Sequence, residues 1–216
     1  MRIYKPMIMK NLRIILLMLC STLSILSFAQ TAMNVSIKRE DSKQVCYPER
    51  EKARMKFNTS NKTVVAYFSA TGTTRAVAER IATLTNATLC EIAPATPYTA
   101  ADLDWLTDRS RSSIEMSDTK ARPAMQPITA DLAACDTLYL GYPIWWDLAP
   151  RIINTFMESY DLEGKTIIPF ATSGSSTITN SVRELKKTYP ALHIYQGHLL
   201  NNASEQSIRQ WVNQMK

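Results

Sequence analysis

Six consecutive residues, Ser69-Ala70-Thr71-Gly72-Thr73-Thr74, place four hydroxyls and one glycine between an apolar run and a helical pattern. The run, Val64 to Phe68, reads as a short buried strand. A strand that turns into a helix through such a loop leaves the first helical N–H groups without intrahelical acceptors. The positive end of the helix dipole stands behind those groups. That chemistry suits a phosphate. Ser69, Thr71 and Thr74 add hydroxyl donors, and Gly72 lets the backbone come close. No lysine lies in the loop, so it is not a nucleotide-triphosphate loop ending in Gly-Lys-Ser/Thr. The three glycines of a dinucleotide turn are missing too. The plain alternative is a well-capped turn holding no ligand, but one turn does not need four hydroxyls.

Two further stretches carry chemistry of a different kind. Tyr142-Pro143-Ile144-Trp145-Trp146-Asp147 sets three aromatics and a stiffening proline just after an apolar run. A flat heteroaromatic ring stacking on Tyr or Trp accounts for them better than an ordinary loop does. Thr172-Ser173-Gly174-Ser175-Ser176 is small and polar. Its N–H and hydroxyl groups suit the edge of such a ring, and a plain helix cap at Ser175 or Ser176 is compatible with that role.

These stretches need elements to hold them. From residue 62 onward short strands alternate with amphipathic helices. Strands are expected over 64–68, 88–93, 137–141, 166–171 and 192–199. Helices are expected over 73–85, where Val77, Ile81 and Leu84 repeat, and over 101–116, where Leu103 and Leu106 supply a weaker pattern. Two more cover 150–160, with proline at the first turn, and 176–188. A last one follows the capping-box-like Asn202-Ala203-Ser204-Glu205, with Ile208, Trp211, Val212 and Met215 as its stripe. Pro169 inside the fourth strand predicts a bulge or an early end to pairing. Strands alternating with helices give an α/β fold with a parallel sheet covered on both faces. Ligands of such a sheet sit beyond the carboxyl ends of its strands. All three stretches fall there, after strands one, three and four.

The N-terminus reads differently. Arg2, Lys5, Lys10 and Arg13 precede an uncharged stretch from Ile14 to Ala29, short for a membrane span of about 20 residues. Residues 1–29 fit a secretory signal peptide cleaved after Ser27-Phe28-Ala29. An uncleaved anchor ranks second, and lipid attachment at Cys20 third. Residues 30–61 are polar without apolar period and read as a flexible spacer. The net charge of +6 divides into +4 for residues 1–29, +3 for 30–61 and −1 for 62–216. The basic balance therefore belongs to the leader and spacer, which removes the main support for a nucleic-acid partner. Cys90 and Cys135 sit in apolar runs and read as core; Cys46 lies in the spacer. His193 and His198, the only histidines, have no carboxylate at ligand spacing, so no metal site is assigned.

The loop at Ser69 to Thr74 matches (Thr/Ser)-x-Thr-Gly-x-Thr, and with the P-I-W-W segment the chain from residue 62 to 216 resembles the flavodoxin family, especially short bacterial members. The resemblance implies a three-layer sandwich with a five-stranded parallel sheet in the order 2-1-3-4-5. It implies non-covalent FMN, with Ser69, Ala70, Thr71, Gly72, Thr73 and Thr74 on the phosphate. Pro143, Ile144, Trp145 and Trp146, with Tyr142 as a further candidate, would line the isoalloxazine, and Thr172, Ser173 and Gly174 its other side. The flavin would carry the chemistry, with no catalytic side chain supplied. Two departures stand out. The domain is close to neutral where many flavodoxins are strongly acidic. Residues 142–149 also lack the glycine whose peptide inverts near flavin N5 to stabilise the one-electron-reduced state, and other residues resist positive φ. The expectation is an FMN redox protein leaning toward two-electron chemistry. It would be an electron carrier, or an NAD(P)H-dependent quinone or nitro reductase. A non-redox binding module on the same scaffold is the alternative from another class. Expected partners are a redox protein or a small quinone-like acceptor. The protein is expected to be periplasmic, monomeric or homodimeric, and to meet the membrane only through an uncleaved leader.

Overall fold

The structure, a computed structural model, describes residues 62–215. The expected signal peptide with its cleavage site, the expected spacer, Cys20 and Cys46 lie outside the described residues.

Elements follow in the order β1 (Thr63–Tyr67), α1 (Thr73–Thr85), β2 (Thr88–Glu91), α2 (Arg111–Ser117), β3 (Thr137–Pro143), α3 (Arg151–Ser159), β4 (Thr166–Thr172), α4 (Thr179–Thr188), β5 (His193–Ile194), β6 (His198–Leu199) and α5 (Glu205–Gln214). The sheet runs β2-β1-β3-β4-β5, with β6 also on β4, and every ladder is parallel. This is the expected order.

Strand alternation divides the core into two layers. Val64, Ala66 and Phe68 point to one face with Leu138, Leu140 and Tyr142, where Ile152, Ile153 and Phe156 of α3 and Val182 and Leu185 of α4 cover them. Val65, Tyr67, Tyr139 and Phe170 point to the other, beneath Val77, Ala78 and Ile81 of α1 and Ile208, Trp211 and Val212 of α5. Each fully buried aliphatic or aromatic side chain here contributes about 1.5–3 kcal/mol. Gly141 is required by one close approach: a Cβ there would lie 2.2 Å from the Phe170 ring.

Several expectations need correction. The helix expected over 101–116 forms only at its end, as α2. Upstream, the Asp102 carboxylate accepts from the Thr99 N–H and hydroxyl, both at 2.8 Å. The Leu106 N–H donates to Asp104 Oδ1, and the Arg109 N–H to Thr107 Oγ1. Such local bonds offer the backbone an alternative to helix. The helix begins where Ser110 Oγ accepts from the Ser113 N–H.

Pairing of β4 with β3 continues straight through Pro169. The interruption lies on the opposite edge, where the expected fifth strand splits into β5 and β6. The Tyr195 N–H donates to Ile167 O and the Leu200 N–H to Ala171 O, so by alternation Pro169 faces that same edge and brings no N–H to it. The cap of α5 is Ser204, whose Oγ accepts from the Ser207 N–H at 3.1 Å, not Asn202. The helix expected from Ser176 begins at Thr179, with no side-chain cap.

The long connection from β2 to β3 is tied to α3. Arg122 makes a two-pronged pair with Glu158, both bonds 2.7 Å. Those bonds hold the Glu158 carboxyl below its usual range. The buried Arg151 guanidinium donates to Met116 O, the end of α2.

Candidate functional site

The loops after β1, β3 and β4 meet around one cleft of about 850 Å³ at the carboxyl edge of the sheet. Twelve of the fourteen residues singled out from the sequence line it: Ser69, Ala70, Thr71, Thr73, Thr74, Pro143, Ile144, Trp145, Trp146, Thr172, Ser173 and Gly174. Gly72 and Tyr142 do not.

Gly72 acts through its backbone. It sits at φ 89° as the residue before α1, and no side chain caps the helix. The N–H groups of the first turn therefore have no intrahelical acceptor, and Thr73 and Thr74 bring that turn to the cleft. The hydroxyls are not spent on capping. Ser69 Oγ accepts from the Gly72 N–H at 3.1 Å and fixes the turn. Thr71 and Thr73 hydroxyls lie 3.4 Å apart. Thr74 Oγ1 reaches Thr172 Oγ1 at 2.8 Å, both residues buried, and so bonds the first loop to the third. A helix opening without a cap, in a loop rich in donors, is built for an anion rather than for closing itself.

Tyr142 is a correction. β3 runs two residues beyond its expected end, so alternation turns Tyr142 into the core with Leu138 and Leu140. It is fully buried, hydroxyl to hydroxyl with Ser181 at 3.1 Å, and burial raises its pKa well above the usual phenol range.

The two tryptophans part company. Trp145 is half-buried, edge-on to Phe68 at 5.5 Å and to Tyr98 at 5.4 Å between ring centroids. Tyr98 is itself anchored. Its hydroxyl donates to Glu115 at 2.5 Å, and the Arg111 guanidinium lies 4.0 Å over its ring. Burial, with the Glu115 carboxylate beside it, pushes the Tyr98 phenol upward. Trp146 is instead exposed. It forms with Asp147 the centre of a tight turn in which Trp145 and Leu148 exchange both backbone hydrogen bonds, each 2.9 Å. Trp146 and Asp147 stand at φ 46° and 64°. Two positive φ values in a two-residue turn are the mirror-image type I geometry, which ordinarily calls for Asn or Gly. The expected resistance of this loop to positive φ is thus overcome in the fold, and Asn180 helps by donating to Asp147 O at 3.3 Å.

The third loop is braced from the C-terminal side. Asn201 Oδ1 accepts from the Ser173 N–H at 2.7 Å, and its Nδ2 donates to Ser173 O at 2.6 Å. Ser173 Oγ accepts from the Ser175 and Ser176 N–H groups, so those serines belong to the cleft loop and not to a helix cap. Asn201, Asn202, Leu103, Trp105 and Ser112 also line the cleft and were not singled out. Among the described residues Asp147 is the one charged residue on the lining.

This geometry meets its match among known proteins. The family model described as Flavodoxin matches residues 62–215. The chain belongs to the flavodoxin family. Among solved structures, this flavodoxin is 57% identical to a protein of Bacteroides uniformis assigned as a flavoprotein, covering 70% of this chain and 97% of that one, with a TM-score of 0.68. A counterpart from Bacteroides eggerthii is 56% identical, covering 70% and 95%, also at 0.68. A flavoprotein of Lactobacillus acidophilus, crystallised in complex with FMN, shares the fold at 21% identity and a TM-score of 0.53, covering 67% and 95%. No curated protein matches the chain.

Proposed function

We propose that this flavodoxin binds FMN non-covalently in the cleft and serves in electron transfer. The observation that carries the reading is the uncapped opening of α1 facing the same cleft as an aromatic turn and a small polar loop. The FMN complex of the Lactobacillus relative supports it.

The residues fit the group. Backbone N–H groups of the first turn of α1, with the hydroxyls of Ser69, Thr71 and Thr73, would hold the phosphate. Pro143, Ile144, Trp145 and Trp146 supply the apolar wall for a flat ring, and Thr172, Ser173 and Gly174 the polar one. FMN, when bound, supplies the redox chemistry. The chain supplies position: Phe68 and Tyr98 hold the Trp145 ring in place, and Asn201 holds the third loop.

A second reading is an FMN-dependent reductase of quinone or nitro compounds, and the turn at Trp146–Asp147 favours it. Inverting the peptide between these residues would drive Trp146 into backbone space that only glycine occupies. The turn therefore lacks the adjustable peptide associated with one-electron chemistry in the family. The leader-like pattern of residues 1–29 supports export, with a membrane or periplasmic redox partner.

The test is to add FMN to the purified, flavin-free protein and remove the excess. A retained yellow flavin band, lost when Thr73 and Thr74 are both replaced by proline, is the expected result. A folded protein that stays colourless would leave only a non-redox binding module.

A further inference from the structure

The cleft has a wall that the FMN reading leaves without a task. Leu103 and Trp105, from the connection between β2 and α2, line the cleft together with the sheet loops. Trp105 is 70% exposed, its neighbour Leu106 77%, and Trp146 46%. Two indoles of one lining, Trp105 and Trp146, left in water with Leu106 next in the chain, mark a binding surface. This exposure is held in place. Asp102 is bonded to Thr99, the Ser112 N–H donates to Asp102 O at 2.9 Å, and Arg111 donates to Thr96 O at 2.8 Å. Trp105 thus stands on a pinned turn.

Charge narrows what the wall can receive. Among the described residues Asp147 is the only charged one on the lining, and no Lys, Arg or His lines it. A nicotinamide dinucleotide carries a pyrophosphate, which proteins hold with a helix opening or with Arg and Lys. The uncapped helix opening here, that of α1, is given to the phosphate in the FMN reading, and the short α2, whose Ser112 also lines the cleft, is closed by its Ser110 cap. An uncharged planar ring needs neither; it needs aromatic faces.

We infer that the mouth of the cleft binds a second ligand, an uncharged planar ring of the quinone class, against Trp105, with Trp105 setting its affinity and a nicotinamide dinucleotide disfavoured there. This rests on the FMN reading. The probes are an uncharged naphthoquinone, its ring-sulfonated analogue and NADH, each titrated into the oxidised, FMN-loaded full chain and followed by calorimetry and tryptophan quenching. The neutral ring should bind, the sulfonate at least tenfold more weakly, and NADH without saturation. Trp105→Ala should weaken the neutral ring about tenfold, 1.4 kcal/mol, and Trp105→Phe should restore most of it. FMN affinity, from flavin fluorescence, should stay within about twofold of wild type, since truncating so exposed an indole costs little packing. Unchanged quinone binding by Trp105→Ala, an equally tight sulfonate, or saturable NADH binding that Trp105→Ala abolishes would each overturn the inference. A parallel loss of FMN would also overturn it, placing Trp105 in the flavin site. Failure of the wild-type chain to take FMN at all sinks the earlier reading first, and this one with it.

Discussion

On one side of the cleft the chain presents backbone and short hydroxyls; on the other it presents rings. The hydroxyl side is held by polar bonds between distant loops, Thr74 to Thr172 and Asn201 to Ser173. The ring side is held by packing, with Trp145 wedged against Phe68 and Tyr98. A hydrogen bond fixes direction and tolerates little displacement, which suits an anion that must meet several donors at once. Ring contacts fix a plane and tolerate sliding within it, which suits a flat ligand. The two materials divide the work of one site, and adjacent residues in the aromatic turn divide it again. Trp145 is a strut and Trp146 a surface.

Substitutions can pull this contrast apart. The largest effect belongs to Trp145→Ala. Removing the strut should cost about 3 kcal/mol in urea unfolding and weaken FMN as well. A loss under about 1 kcal/mol would mean that Trp145 is no more structural than its neighbour. Next comes Thr74→Val, which strands the buried Thr172 hydroxyl and should cost about 2 kcal/mol. Adding Thr172→Val should recover much of that, since two matched apolar groups leave nothing unpaired. Strict additivity in that double-mutant cycle would show that the loops are not coupled. Trp146→Gly should leave stability within about 1 kcal/mol of wild type, because relief of the left-handed φ offsets glycine's entropy. FMN affinity should nonetheless fall several-fold, readable by flavin fluorescence.

The smallest effect is of pH. Tyr98 under the ring side has its phenol pushed up by burial and Glu115, so its neutral form is the folded one. Its contribution is complete below the ordinary value of 10.0 and is lost as pH rises beyond it. Thermal unfolding followed from pH 9 to 11 should show a decline that Tyr98→Phe flattens. An identical slope in the variant would remove Tyr98 as its source.

What the sequence revealed, it revealed through short-range rules. The turn from β1 into α1 is legible because hydroxyls, glycine and helix start lie within six residues. The sheet order follows from alternation and the family pattern. Tyr142 was misplaced because β3 outran its apparent end; the period of two through Leu138 and Leu140 carried the signal. Trp105 was hidden by a helical spacing of Leu103 and Leu106 that Asp102 and Asp104 defeat. Asn201 lies just before the capping-box pattern and outside it, and its partner, Ser173, is 28 positions away, beyond the reach of any local rule. The split of the last strand depends on which edge of β4 Pro169 faces, which only the assembled sheet decides.

The hydroxyl bridge between Thr74 and Thr172 joins positions 98 apart in the chain. Closing so long a loop is entropically slow and comes after local structure. A nascent chain can therefore form β1 and α1 and still offer the phosphate only half a berth. Cofactor uptake then reports that β4 has docked, and flavin added during refolding would reward completed molecules over stalled ones.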